Sequence, residues 1–303
     1  MGVRRVTAAP PPIVDSHLHF LDLGRFDYPW IAGSGLEFLR DGYLPHDWQA
    51  DVGELDLLAG VHVQAEVDHA TDPVRETAWL ATLPEPVAPM AYVAYADLRA
   101  PDLDDVLERH RAFAPMRGIR QEAWFDPAST RADLPRENML LDPAWRAGLA
   151  RLPEHELSFD LFVWHHQLAY AADVCAALPQ LTVIVEHTGF PPLGDEDGMR
   201  VWRDGLARFA ERVPRSVLKI SGLALFGPQW TVQSARPLLL EAIELFGPER
   251  CMLGSNYPVD RAAASYADMW AAFDAITAEL SGSERTALFS GTALRTYAIE
   301  PGR

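Results

Sequence analysis

Short runs of apolar and β-branched residues alternate with longer amphipathic stretches along this 303-residue chain. The short runs fall at 13–18, 61–67, 90–96, 117–122, 157–163, 181–186, 216–220 and 251–254, and are predicted as eight strands. Between them, 47–59, 73–83, 102–113, 143–152, 168–178, 197–212, 232–246 and 264–280 carry helical patterns, and a last one, 283–297, begins at Ser283. Strands alternating with helices imply parallel βαβ units, and eight of them favour an α/β fold closed into a (β/α)8 TIM barrel. An open doubly wound sheet is the rival. No glycine-rich phosphate fingerprint follows the first strand, which weakens its nucleotide-binding form. No linker divides the chain, so 13–303 reads as one barrel domain preceded by a flexible arm, 1–12.

The connection after the first strand, 20–46, is long and carries Phe20, Phe26, Tyr28, Trp30, Phe38 and Tyr43. Its aromatic content argues against disorder and fits a lid over the C-terminal mouth of the barrel. The formal net charge of -17 should repel nucleic acid and anionic membranes. No apolar run approaches the length of a membrane span, and the first residues lack the apolar core of a signal peptide. Cys175 and Cys251 sit far apart in a predicted helix and a predicted strand, and read as buried reduced thiols. A cytoplasmic protein with a small-molecule substrate is the expectation, with a homodimer as the default assembly.

In such a barrel the site lies at the C-terminal ends of the strands, and here those ends are unusually polar. The first carries His17 and His19, which a period of two places on one face. The second places His62, Gln64 and Glu66 on one face, and the fourth does the same for Arg120 and Glu122. The fifth leads into Trp164, His165 and His166, and the sixth ends in Glu186 and His187. The seventh carries Lys219, the single lysine, and Ser221, and the eighth runs into Asn256 and Asp260. Taken singly, each has an ordinary structural use: Asp160 and Glu186 as satisfied buried acids, Lys219 as an ion pair to a neighbouring strand. Buried polar groups are costly unless paired, so their accumulation at one end points to an active site.

Eight segments then match a family in order: Asp15-Ser-His-Leu-His19, Gly24-Arg-Phe-Asp-Tyr-Pro-Trp30, Val63-Gln-Ala-Glu66, Arg117-Gly-Ile-Arg120, Ser158-Phe-Asp-Leu161, His187-Thr-Gly189, Lys219-Ile-Ser-Gly222 and Cys251-Met-Leu-Gly-Ser-Asn-Tyr-Pro-Val259. With these the chain resembles the amidohydrolase superfamily, in the branch of TIM-barrel lactone hydrolases that includes L-fuconolactonase and 2-pyrone-4,6-dicarboxylate lactonase. The resemblance implies hydrolysis of a ring ester, with His17, His19 and His187 lining the site. It implies that these histidines bind any metal used, either none or one divalent ion, zinc or manganese. One departure matters. Relatives carry a water-activating aspartate where this chain has Asn256, and an amide cannot act as a general base near neutral pH. Asp260, Glu122, Glu66 and His187 are the candidates for that role. Phe190 stands where relatives often have a polar or basic residue, which should make that edge of the pocket apolar.

The resulting expectation is a lactonase acting on a sugar-acid or aromatic-derived lactone. Its catalytic group would be His17, His19, His187, Asn256 and Asp260. Its substrate would be held by Arg120, Lys219, Gln64, Glu66, Glu122, Trp30 and Trp164. A decarboxylase or hydratase of the same superfamily and a catalytically degenerate binding barrel are the alternatives, both motivated by Asn256.

Overall fold

The computed structural model describes residues 10–84, 88–127, 137–227 and 229–301, so residues 1–9 of the expected arm lie outside the described residues. Eight parallel strands form one sheet in sequence order. They are β1 (Ile13–Leu18), β2 (Leu57–Val63), β3 (Met90–Ala94), β4 (Met116–Arg120), β5 (Ser158–Leu161), β6 (Val183–Val185), β7 (Ser216–Ile220) and β8 (Cys251–Leu253). The helices, in order, are α1 (Pro45–Val52), α2 (Val74–Leu80), α3 (Leu103–Arg111), α4 (Pro143–Leu149) and α5 (Leu168–Ala176). They continue with α6 (Glu196–Arg212), α7 (Val232–Phe246), α8 (Tyr266–Thr277), α9 (Gly282–Thr286) and α10 (Thr292–Thr296). The architecture is the expected (β/α)8 barrel.

The sheet closes on itself through side chains more than through backbone. Between β1 and β8 a single bridge joins Leu18 to Tyr257. Asp15 does most of the joining: it accepts from Ser255 N at 2.8 Å, Ser255 Oγ at 2.6 Å and the Tyr266 hydroxyl at 3.0 Å. Ser16 Oγ adds a bond to Leu253 O at 2.7 Å. Gly254 permits this approach, because a Cβ there would lie 2.8 Å from His17 Cβ.

Two predicted boundaries move. The second strand is Leu57–Val63 and the helix before it stops at Val52, where 61–67 and 47–59 were expected. Ala59-Gly60 looks like a break in a strand pattern, but the glycine is there for packing. A Cβ on Gly60 would meet the Trp48 ring at 2.7 Å, so α1 seats its tryptophan directly on β2. The expected 283–297 helix is three pieces, with a wide turn at Ala287–Gly291 between α9 and α10.

Apolar packing divides into two bodies. The larger lies between barrel and helices. The smaller fills the barrel itself with Val14, Ala59, Val61, Val63, Ala91 and Val93, among others. Ala293, Tyr297 and Ile299 belong to this inner body and floor the barrel at the end opposite the site. The 20–46 connection is closed at its base by paired hydrogen bonds between Leu21 and Tyr43 and packs most of its aromatic residues inward. Cys175 and Cys251 are buried free thiols. No helix among the described residues is long and apolar enough to cross a membrane.

Candidate active site

A cavity of about 190 Å³ opens at the C-terminal ends of the strands. Its polar wall is His19, His187, Asn256, Glu66, Glu122 and Arg120. Trp30, Trp124, Phe162, Leu225 and Val259 supply the apolar side. Trp30 and Ser34 come from the 20–46 connection, and Trp30 is pinned by donating its indole N–H to Ala65 O at 2.9 Å. Trp124 and Phe162 were not singled out from sequence, although the signal was present. They continue the period-two alternation that Arg120 and Glu122, and Asp160, begin.

The histidines form the polar centre. His17 Nε2 and His19 Nε2 are 3.1 Å apart. The His17 and His187 ring centroids are 4.7 Å apart. His19 Nδ1 lies 2.7 Å from Val63 O, which only accepts, so that nitrogen carries the proton. His17 Nδ1 lies 3.2 Å from Glu186 Oε1, and a lone pair there would be repelled by the carboxylate. In both neutral rings the lone pair is therefore on Nε2, and the two lone pairs face each other. Burial holds both rings neutral, their basicity pushed well below the usual imidazole range, His17 even against the pull of Glu186. Facing lone pairs at this distance repel unless a cation sits between them. Their arrangement fits a divalent metal, which takes neutral imidazole ligands.

Further groups of metal-ligand type surround the pair. Offering one atom each, His17, Glu186 and His187 lie within 4.8 Å of one another. Asn256 donates its Nδ2 to Asp260 Oδ1 at 2.7 Å, and this turns Oδ1 toward His19 Nε2, 3.4 Å away. The asparagine therefore presents an amide oxygen to the histidines, and its conformation, at φ 56°, is the left-handed one that non-glycine residues adopt rarely. Burial also lowers the His187 imidazole, to about 4, and its Nδ1 sits 2.9 Å from Ser221 Oγ.

Glu186 organises the region beneath. Burial alone would raise its carboxyl. The Arg120 guanidinium, His17 and Lys219 outweigh burial and hold it well below the ordinary carboxylate range. Arg120 Nη1 reaches Glu186 Oε2 at 3.2 Å, and Nη2 donates to Gln64 O at 2.6 Å. The outer acid, Glu66, is held in the left-handed region at φ 54°. It pairs with His69 Nε2 at 3.1 Å and accepts from Gln64 Nε2. His69 stacks on Tyr95, centroids 4.0 Å apart, and its side chain is 48% exposed, so the pair runs from the cavity to solvent.

Four residues expected at the site, and the polar His62 of the second strand, stand outside the cavity wall. Lys219 is fully buried, 2.5 Å from Asp160 Oδ2 and 3.7 Å from Glu186 Oε1, so it is an ion-pair partner that does not line the cavity. Asp260 is also fully buried, behind Asn256, bound to it and to Ala224 N at 3.1 Å. Gln64 does not line the cavity; it staples the loop by bonding Glu66. Trp164 backs the wall against Trp124 and Phe190, at centroid distances of 5.3 and 5.0 Å. His62 faces the outer layer against Phe20 and Tyr92, because β2 ends at Val63 and the alternation does not carry on to Gln64 and Glu66. Phe190, expected at the pocket edge, stands behind it: it packs on Phe162, ring centroids 4.7 Å apart, and Phe162 is the residue on the cavity wall.

Known proteins resemble this chain in sequence and fold. A family model described as Amidohydrolase matches residues 14–299. The chain is 35% identical to the protein y4mH of Sinorhizobium fredii, over 95% of this chain and 98% of that one. It is 32% identical to an L-fucono-1,5-lactonase of Burkholderia multivorans, over 94% of this chain and 96% of the relative. The crystal structure of an amidohydrolase from Burkholderia multivorans with bound zinc superposes with a TM-score of 0.77 at 30% identity, covering 95% of this chain and all of that one. Fold, ordered motifs and these relatives together place the chain in the amidohydrolase family, among its lactone-hydrolysing enzymes.

Proposed function

We propose that the enzyme opens the ring ester of a neutral, hydroxylated lactone with the help of one divalent ion. The facing Nε2 lone pairs of His17 and His19 carry this reading. His17, His19 and His187 would hold the ion, with the Asn256 amide oxygen completing the set and Glu186 orienting His17 from its Nδ1 side. Zinc suits these nitrogen-rich ligands. When bound, the ion supplies Lewis-acid polarisation of the ring carbonyl.

The cavity wall supports a neutral substrate. Glu66 and Glu122 are both on it, and carboxylates accept hydrogen bonds from sugar hydroxyls while repelling a dicarboxylate. The guanidinium ends of Arg120 are engaged from within by Glu186 and Gln64, so it is poorly placed for bidentate capture of a substrate carboxylate. Trp30 and Trp124 offer flat faces to ring C–H bonds.

Glu66 takes the place of the missing aspartate as base. Its carboxylate has a path outward: a proton received at Oε2 faces His69 Nε2 and then solvent. Burial would raise the Glu66 carboxyl, but His69 and Arg120 hold it below its usual value and keep it ionised. Proton release in weak buffer, across sugar and aromatic-acid lactones with zinc, manganese or a chelator, tests the reading. Hydrolysis of neutral aldonolactones that the chelator abolishes is expected, with Glu66→Gln lowering kcat by about 10²–10⁴-fold. A carboxy-lyase draws its support from Asn256, and carbon dioxide release from aromatic acids without any lactone turnover would decide for it.

A further inference from the structure

The inside of the barrel is not uniform. The β1–β3 side presents Val14, Ala59, Val61, Val63, Ala91 and Val93. The β5–β7 side adds Asp160, Glu186 and Lys219, all buried, to its apolar Ile184 and Val217. Barrel interiors are ordinarily filled by branched apolar residues. Replacing a buried ion pair with apolar side chains of similar volume often costs nothing, so stability alone does not explain the charges.

They form a continuous chain from floor to mouth. The Tyr297 hydroxyl donates to Asp160 Oδ2 at 2.8 Å. Lys219 Nζ meets the same oxygen at 2.5 Å and reaches toward Glu186 Oε1 at 3.7 Å. That oxygen is the one 3.2 Å from His17 Nδ1. Asp160 Oδ1 has no hydrogen-bond partner among the described residues, so Oδ2 alone fixes the carboxylate. Tyr297 is itself anchored from outside: Arg117 Nε donates to its carbonyl oxygen at 2.7 Å. Its ring lies 5.4 Å from Lys219 Nζ and packs among the floor residues, a task phenylalanine would perform as well.

We propose that Tyr297, at the opposite end of the barrel from the cavity, is a positioning residue for His17. Its hydroxyl fixes Asp160, Asp160 fixes Lys219 between two carboxylates, and Lys219 fixes the Glu186 oxygen that orients the His17 ring. The activity arm of the test rests on the lactonase reading; the other arms do not.

Tyr297→Phe removes the hydroxyl and keeps the ring. Four quantities are read on the full-length protein: melting temperature, the ¹⁵N–¹H imidazole signals of metal-free protein with His17 assigned, zinc affinity, and kcat with KM. The expected result is a shifted His17 signal, zinc binding weakened about 10-fold, and kcat lowered about 10-fold at constant KM, the range typical of groups that orient metal ligands. Ile299→Ala loosens the same floor and leaves the hydroxyl; it should lower the melting temperature with the His17 signal and zinc affinity unchanged. A Tyr297→Phe protein that melts lower while its His17 signal and zinc affinity match wild type would overturn the proposal. Should that variant fail to fold, 3-fluorotyrosine placed at 297 strengthens the donor without removing it, and an unmoved His17 signal would again reject the role. If wild type opens no lactone, the proposed function fails, and the signal and zinc arms still decide on Tyr297.

Discussion

Two neighbourhoods of buried histidine differ in one respect. At the mouth stand His17, His19 and His187; in the layer between barrel and helices stand His62 and His110. Burial lowers the basicity of all five, to about 4 for both His187 and His110 and about 3 for His62. His110 is a completed structural residue: Nδ1 meets Thr77 Oγ1 at 2.9 Å and Nε2 meets Tyr95 O at 3.0 Å. His17 and His19 instead use one nitrogen each to fix the ring and turn the other on its neighbour. Depressed basicity marks any buried imidazole. Convergent lone pairs mark a site.

The comparison can be broken most sharply by His17→Ala. It should lower kcat/KM for the best lactone by at least about 10³-fold, or ~4 kcal/mol of barrel-mouth chemistry. Its melting temperature should stay within a few degrees of wild type. Retained hydrolysis in steady-state assays would dissolve the distinction between the two neighbourhoods. The opposite profile belongs to His110→Asn, which strands Thr77 and Tyr95 and shrinks a packed side chain. About 2–3 kcal/mol of stability should be lost in denaturant titration, with kcat unchanged.

His110 also has a pH signature. Its folded value, about 4, lies below the ordinary 6.5, so the unfolded chain binds the proton more readily. Stability from this group is complete above pH 6.5 and is lost as pH falls toward 4, by roughly 3 kcal/mol. The stability gap between wild type and His110→Asn should therefore close across that window. A constant gap in denaturant midpoints would mean that His110 does not titrate as its burial dictates.

The smallest effect sharpens the comparison from the other side. Neither ring nitrogen of His62 has an aligned hydrogen-bond partner among the described residues. An unmet buried polar group is unfavourable, so His62→Leu should be neutral or stabilising by about 1 kcal/mol and leave turnover intact. Lost turnover in that variant would move His62 into the functional group.

Much of the site was legible because it is local. His17 and His19 are two residues apart on one strand, His187 follows a short apolar run, and Glu122 alternates with Arg120. What failed to show was of two kinds. Gly60 resembles a break in sequence and is a packing notch in space, because the ring that needs it belongs to Trp48 on another element. Lys219 and Asp260 have the right chemistry at the right strand ends. Their side chains are claimed by Asp160 and by Asn256 and do not line the cavity. The Tyr297 hydroxyl is the extreme case: its partner is 137 residues away, and its own segment reads as an ordinary amphipathic pattern.

The seam between β1 and β8 bears on how the molecule comes to be active. Asp15 and Ser255, the stitches of that seam, are 240 residues apart in the chain, and Asn256 N bonds His17 O across it at 2.8 Å. Contacts of such separation carry the largest loop-closure entropy and slow folding most. The same closure brings the Asn256 amide to His19. An unclosed chain, however much helix and sheet it has gained, leaves the histidine pair without its opposite wall, so turnover during refolding counts closed barrels and nothing earlier.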